Sequence, residues 1–174
     1  MNLAPQVDLT TCQYPLSNGK AGVFQTIDCM RSMVDHFKTN PQIRQATVNA
    51  VYLTPAKNQD AEVTAVFEFV RDHIRYLMDI VGVETLATPD KTLLCQIGDC
   101  DDQSTLLASM FESIGYPTRF IVAGYSDPAN LEHVYLQVLV DNEWVDCDPT
   151  ESQPLGFAPP GAVVLYAERV ESCI

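Results

Sequence analysis

Residues 98–115 read Gly-Asp-Cys-Asp-Asp-Gln-Ser-Thr-Leu-Leu-Ala-Ser-Met-Phe-Glu-Ser-Ile-Gly. Leu107, Met110, Phe111 and Ile114 recur at helical spacing, and no Pro or Gly intervenes before Gly115, a natural stop. Counting back from Leu107 by fours and threes reaches Gln103 or Ser104, and then Cys100. The thiol therefore sits at the end of the buried stripe. A helix N-terminus offers unpaired N–H groups and partial positive charge, which favour thiolate over thiol. Two identities are open from this segment alone: a nucleophilic cysteine, or a small buried residue at a helix start.

Composition narrows the classes around that helix. The 174 residues suit a single domain with a full core. A net charge of −13 argues against nucleic acid, whose phosphates call for Lys and Arg, and against anionic membranes. No apolar run approaches the length of a membrane span. The opening Met-Asn-Leu-Ala-Pro-Gln-Val-Asp has neither the basic start nor the apolar centre of a signal peptide, so a cytoplasmic place is expected, with virion association left open. Six cysteines (Cys12, Cys29, Cys95, Cys100, Cys147 and Cys173) lie without CxxC spacing, which reads as mostly reduced thiols. A zinc set of Cys95, Cys100, Cys147 and His133 is conceivable, but a Cys-x4-Cys spacing without a second close pair disfavours it. No metal and no organic cofactor is expected.

Residues 1–22, with Pro5, Pro15, Gly19 and Gly22, read as an arm or surface loop. Ile27, Met30, Val34 and Phe37 then mark a helix from Val23 to about Lys38. Asn40-Pro41 opens a second helix, with Ile43, Ala46, Ala50 and Leu53 on one face and a stop at Thr54-Pro55. A third starts at Asn58 or Asp60, and its stripe of Val63, Val66, Phe67, Val70, Ile74, Leu77 and Met78 implies that it continues to 78. His73 lies beside that stripe and reads as a surface or core-edge residue. Residues 79–97 read as a long loop feeding the cysteine helix. Strands are expected at Thr118–Gly124, His133–Val140, Glu143–Asp148 and Ala162–Val170. Helices followed by strands imply an α+β fold, with an antiparallel sheet against the cysteine helix.

The hairpin yields the sharpest inference. A two-residue primed turn at Asp141-Asn142 sets Val140 opposite Glu143, Leu139 opposite Trp144, Gln137 opposite Asp146 and Tyr135 opposite Asp148. His133, Tyr135, Gln137, Leu139, Trp144, Asp146 and Asp148 then share one face. Val134, Leu136, Val138, Val140, Val145 and Cys147 share the other, which makes Cys147 a core residue. Asp148 becomes a diagonal neighbour of His133, at about 7–8 Å between backbones, closer than Asp146. A carboxylate on one imidazole nitrogen leaves the other free to serve a thiol. If the Cys100 helix packs on the His133 face, nucleophile, base and orienter meet. The alternative is an edge-strand histidine with a satisfied hydrogen bond and a plain Asp-Pro turn.

Three separated motifs resemble the core of the transglutaminase-like superfamily. They are Gly98-Asp99-Cys100 with its helix and Ile114-Gly115-Tyr116-Pro117-Thr118-Arg119; His133-Val134-Tyr135; and Trp144-Val145-Asp146-Cys147-Asp148-Pro149-Thr150. The run Arg71-Asp72-His73-Ile74-Arg75-Tyr76, with Thr88-Pro89 downstream, is similar to the lead-in of small bacterial and phage-encoded members. The resemblance covers about residues 60–152 and implies a papain-like fold, with Cys100 as nucleophile, His133 as general base and acid, and Asp148 as orienter. On this reading residues 1–57 are an N-terminal helical extension, 58–152 carry the core motifs, and 153–174 are coil with a possible strand, all within one domain.

The function expected is thiol-dependent acyl transfer on peptide or carboxamide bonds of a peptide or protein substrate, more readily hydrolysis than cross-linking. The oxyanion would be held by the Cys100 N–H and a further donor, with Gln96 as a candidate. A catalytically idle binding or assembly protein, in a phage particle for example, is the alternative. Asp99, Asp101 and Asp102 crowd Cys100 with charge that opposes thiolate formation. Asp101 and Asp102, about 100° and 200° around the helix from Cys100, would be screened if they face solvent. An imidazolium at His133 is expected to outweigh them.

Overall fold

The computed structural model describes residues 15–79 and 85–169. In chain order these form α1 (Lys20–Phe37), α2 (Pro41–Val51), α3 (Gln59–His73), β1 (Arg75–Tyr76), α4 (Pro89–Cys95), β2 (Ile97–Gly98), α5 (Cys100–Ser113), β3 (Thr118–Gly124), β4 (His133–Val140), β5 (Glu143–Cys147) and β6 (Val164–Arg169). The last four strands make an antiparallel sheet in the order β5-β4-β3-β6. The fold is α+β, as the order of helices and strands implies.

Helix α5 is the centre of the packing, touching α1, α2, α3, α4 and the sheet. Burial follows. Leu106, Leu107, Met110 and Phe111 are fully buried, and they share one core with Val34, Ile43, Phe67, Phe120, Leu136 and Val138. The helix is closed at both ends by local chemistry. Asp99 is the N-cap, its side chain accepting from the Asp102 N–H. At the far end Gly115 takes φ 95°, which only glycine adopts without strain. That turn lets the Tyr116 N–H reach the Phe111 carbonyl and the Gly115 N–H the Glu112 carbonyl, the paired bonds of a Schellman stop. Tyr116 then sets its ring edge-on to Phe111.

The structure differs from the sequence reading in several places. Helix α3 ends at His73, not 78, and Leu77 and Met78 are exposed. The chain leaves the helix because β1 pairs in parallel with β2: Arg75 N–H donates to the Gln96 carbonyl and Leu77 N–H to the Gly98 carbonyl. Tertiary backbone pairing thus overrides an apolar period that still fits a helix. The expected 79–97 loop contains α4, started by Thr88 with Pro89 in its first turn, and β2; residues 80–84 lie outside the described part. Helix α1 begins at Lys20, and the reading of residues 1–14 as an arm falls outside the described residues. Helix α2 ends at Val51, which leaves Leu53 90% exposed instead of on the buried face. Strand β5 stops one residue earlier than expected and β6 starts two residues later; Val170, the expected end of β6, lies outside the described residues.

One buried carboxylate links α5 to the segment before α4. Asp102, 7% exposed, accepts a hydrogen bond from the Ala87 N–H at 2.7 Å. It lies so close under β2 that a Cβ on Gly98 would come within 2.6 Å of its own Cβ, which explains a glycine there. Loss of water around it raises its pKa to about 7; the Ala87 bond opposes the shift and the charge of Asp99 adds to it. The unfolded carboxyl titrates near 3.9. The folded state thus binds the proton more tightly, and the contribution of Asp102 to stability falls as pH rises from about 4 through 7. Asn can keep the Ala87 bond without the charge. We expect Asp102→Asn to gain stability relative to wild type between pH 5 and 8 in denaturant unfolding; a difference that stays flat with pH would contradict this.

Candidate active site

The hairpin behaves as the alternation requires. Asp141 and Asn142 have φ 46° and 71°, both positive, as a type I′ turn demands. The register is Val140 with Glu143, Leu139 with Trp144, Gln137 with Asp146 and Leu136 with Cys147. His133, the first residue of β4, and Asp148, the residue after β5, are joined by a 2.6 Å hydrogen bond between Nε2 and Oδ2. Asp148 is buried, and its other oxygen accepts from the Thr150 N–H at 3.0 Å and hydroxyl at 2.7 Å. Both carboxylate oxygens are thus fixed. With Nε2 against a carboxylate, the proton resides there and Nδ1 is the nitrogen left to act.

One ring steadies this pair, and a side-chain network occupies the next carboxylate along. The Tyr135 ring stacks on His133, with centroids 5.9 Å apart and an interplanar angle of 23°. Gln137 bridges Asp146 at 2.7 Å and Arg119 at 2.6 Å, and Arg119 lies over the Trp144 ring at 4.3 Å. Asp146 is therefore engaged one pair away, which leaves Asp148 as the carboxylate of His133.

Helix α5 does not pack on the face that was a condition of the sequence argument. It packs on the apolar face of Val134, Leu136, Val138 and Val140, with Cys147 buried in the same core. Cys100, the first residue of α5, nevertheless lies at the start of β4, hydrogen-bonded to the Val134 backbone. Ser104 Oγ donates to the Val134 carbonyl at 3.3 Å, and Cys100 and His133 border one cavity of about 290 Å³. Cys100 and His133 thus border the same cavity from the end of the strand, not from the face that the alternation assigns to His133.

The electrostatics of the thiol differ from expectation. Burial raises the pKa of Cys100, the charges of Asp101 and Asp99 raise it further, and a bond from the Val134 N–H only partly opposes them. The sulfur donates to Asp101 Oδ1 at 3.4 Å. Asp101 is half-buried and Asp102 buried, so solvent does not screen them as an outward orientation would. On balance these surroundings favour the thiol over the thiolate. Gln96 ends α4 in a left-handed conformation, is exposed, and borders neither cavity beside His133. The Cys100 N–H, within the first turn of α5, has no intrahelical acceptor and remains suited to that task. His73 is exposed, stacked on Phe69 and bonded to its carbonyl.

The four cysteines among the described residues are free thiols, Cys29 and Cys95 exposed and Cys147 buried. Cys95, Cys100, Cys147 and His133 are not gathered into a ligand set. Among the described residues, three metal-capable side chains converge at Asp99, Cys100 and Asp101, whose donor atoms lie within 4.8 Å of one another. Replacing Asp101 by Asn removes a charge that holds the thiol protonated. A fall of about one pKa unit gives about tenfold more thiolate, less the accompanying loss of nucleophilicity. Alkylation of Cys100 by iodoacetamide near neutral pH should quicken about threefold in Asp101→Asn, followed by peptide mass mapping; an unchanged or slower rate would contradict the assignment.

The sequence matches the family described as the transglutaminase-like superfamily over residues 46–149, more than half of the chain. No curated protein matches it. Among solved structures, the fold is similar to calcium-bound LapG from Legionella pneumophila, with TM-score 0.55, 18% identity, and 81% of this chain and 82% of that one covered. It is also similar to a candidate cysteine protease from Cytophaga hutchinsonii, with TM-score 0.52, 13% identity, and 76% and 52% covered. A candidate protease from Parabacteroides distasonis matches with TM-score 0.52, 15% identity, and 72% and 27% covered. The chain thus spans about half and about a quarter of those last two proteins. No helix among the described residues is long and apolar enough to cross a membrane. With the match running from α2 to the residue after Asp148, the chain belongs to the transglutaminase-like superfamily.

Proposed function

We propose that the protein is a thiol-dependent acyl-transfer enzyme that hydrolyses peptide or carboxamide bonds, with Cys100 as nucleophile, His133 as base and Asp148 as orienter. The observation that carries this reading is the 2.6 Å bond from Asp148 to His133, on the ring nitrogen that leaves Nδ1 for the cavity shared with Cys100. The names of the Cytophaga and Parabacteroides neighbours as candidate proteases favour a peptide or protein substrate.

Because the thiol rests protonated, proton transfer accompanies attack and does not precede it. Substrate entering the cavity displaces the sulfur from Asp101. The thiol proton passes to His133 Nδ1 while sulfur bonds to the carbonyl carbon, and the Cys100 N–H receives the developing oxyanion. The tetrahedral adduct collapses as the imidazolium returns that proton to the leaving amine, and a thioester remains. Water, deprotonated by His133, then adds to the thioester and releases acid and thiol. Asp148 holds the ring through both steps and stabilises its charged form.

A second reading, an idle scaffold used for binding or assembly, is favoured by one observation: the acidic surroundings that hold Cys100 protonated. Turnover of fluorogenic peptide and amide libraries separates the two. Cys100→Ala should abolish cleavage, and His133→Asn and Asp148→Asn should each lower kcat by about 10²–10⁴-fold while the fold survives by circular dichroism. Cleavage unaffected by Cys100→Ala, or none by the wild type, would overturn the enzyme reading.

A further inference from the structure

A second cavity, about 460 Å³, shares His133 with the first and is walled by Tyr76, Tyr125, Thr150, Glu151, Pro159 and Pro160. That volume accommodates a long side chain. Its chemistry is one-sided. Two phenol rings and a carboxylate face a space that no Lys or Arg borders, and none of the described Lys or Arg side chains forms an ion pair with Glu151. The two consecutive prolines contribute apolar wall without an N–H to donate. The Tyr125 hydroxyl is buried without a hydrogen-bond partner, an unused polar group at this cavity's edge. Both phenols also sit in a negative field. Burial raises the pKa of each, and the charge of Asp148 raises both, joined by Asp99 and Asp101 at Tyr76, and by Glu151 and Glu132 at Tyr125. Phenols so placed stay neutral and keep their electron-rich faces.

We infer that this cavity is a subsite for a cationic side chain, lysine or arginine, flanking the bond attacked by Cys100. Aromatic faces attract an ammonium or guanidinium, the Glu151 carboxylate supplies the opposite charge, and the Tyr125 oxygen can accept its hydrogen bond. The position follows from His133, which borders both cavities: a peptide crossing the ring places its reacting carbonyl beside Cys100 and a neighbouring side chain in the second cavity. The inference deepens the acyl-transfer reading and rests on it for the word flanking.

The test uses full-length Cys100→Ala protein and fluorescein-labelled mixed-sequence peptide pools that are identical except for Lys, norleucine or Glu at one fixed position. Fluorescence anisotropy at low salt should give about tenfold tighter binding of the Lys pool than of the norleucine pool, and weaker binding still of the Glu pool. Glu151→Gln and Tyr125→Phe should each shrink the Lys-to-norleucine ratio. Glu143→Gln, which removes the same charge from the exposed end of β5, should not, so general attraction to an acidic protein is controlled. Equal binding of Lys and norleucine pools, or a preference that survives Glu151→Gln, overturns the subsite. Turnover of the same pools by wild-type protein separates this from the parent reading. Lys-selective binding without turnover upholds the subsite and removes the acyl-transfer reading, whereas turnover indifferent to Lys does the reverse.

Discussion

The contact on which the site depends is made by two residues that face each other only because of a turn. Asp141 and Asn142 take left-handed backbone angles that match the twist of the flanking strands, and so fix β4 against β5 residue by residue. A slip of one position would carry Asp148 to the opposite face and break its bond to His133, since side chains alternate along a strand. The carboxylate is fixed from two further directions by the N–H and hydroxyl of Thr150, in the Asp-Pro-Thr run that ends the strand. The register of one hairpin therefore sets the tautomer of one ring. Everything chemical in the site begins from that ring.

Helix α5 places the sulfur on the cavity that the imidazole also borders, and the same placement restrains it. Its N-cap, Asp99, satisfies the helix end and its first-turn carboxylates stabilise the start, while Asp101 and Asp99 hold down the acidity of the thiol. The helix terminus alone would favour thiolate, but burial and two nearby carboxylates outweigh it. Surroundings of this kind favour the less reactive, protonated form of the Cys100 thiol. This limits reaction with stray electrophiles, since thiolate and not thiol attacks them.

Much of this was legible from residue spacing. The α+β order, the α5 stripe with its Gly115 stop, the hairpin turn and register, and the choice of Asp148 over Asp146 all followed from local rules that the folded chain obeys. The failures share a cause: contacts distant in sequence. Ile74, Leu77 and Met78 continue a helical period, yet backbone pairing with Ile97 and Gly98 takes the chain out of the helix. Helix α4 carried a readable signal in Thr88-Pro89, within a span that Gly82 and Gly98 mark as loop. The packing face of α5 was not legible, because the apolar list on β4 marks a core face without naming the helix that fills it. Nor was the second cavity, whose walls come from β1, the end of β3 and the coil before β6.

The central claim is that Cys100 attacks a carbonyl with help from His133, and its most direct test is covalent capture. Cys29 and Cys95 are exposed and serve as internal controls. Incubation with a pool of peptidyl vinyl sulfones, followed by peptide mapping, should place the adduct on Cys100 in preference to Cys29 and Cys95, and His133→Ala should abolish that preference. Labelling spread over the exposed cysteines with Cys100 untouched, or labelling of Cys100 indifferent to His133, would contradict the account.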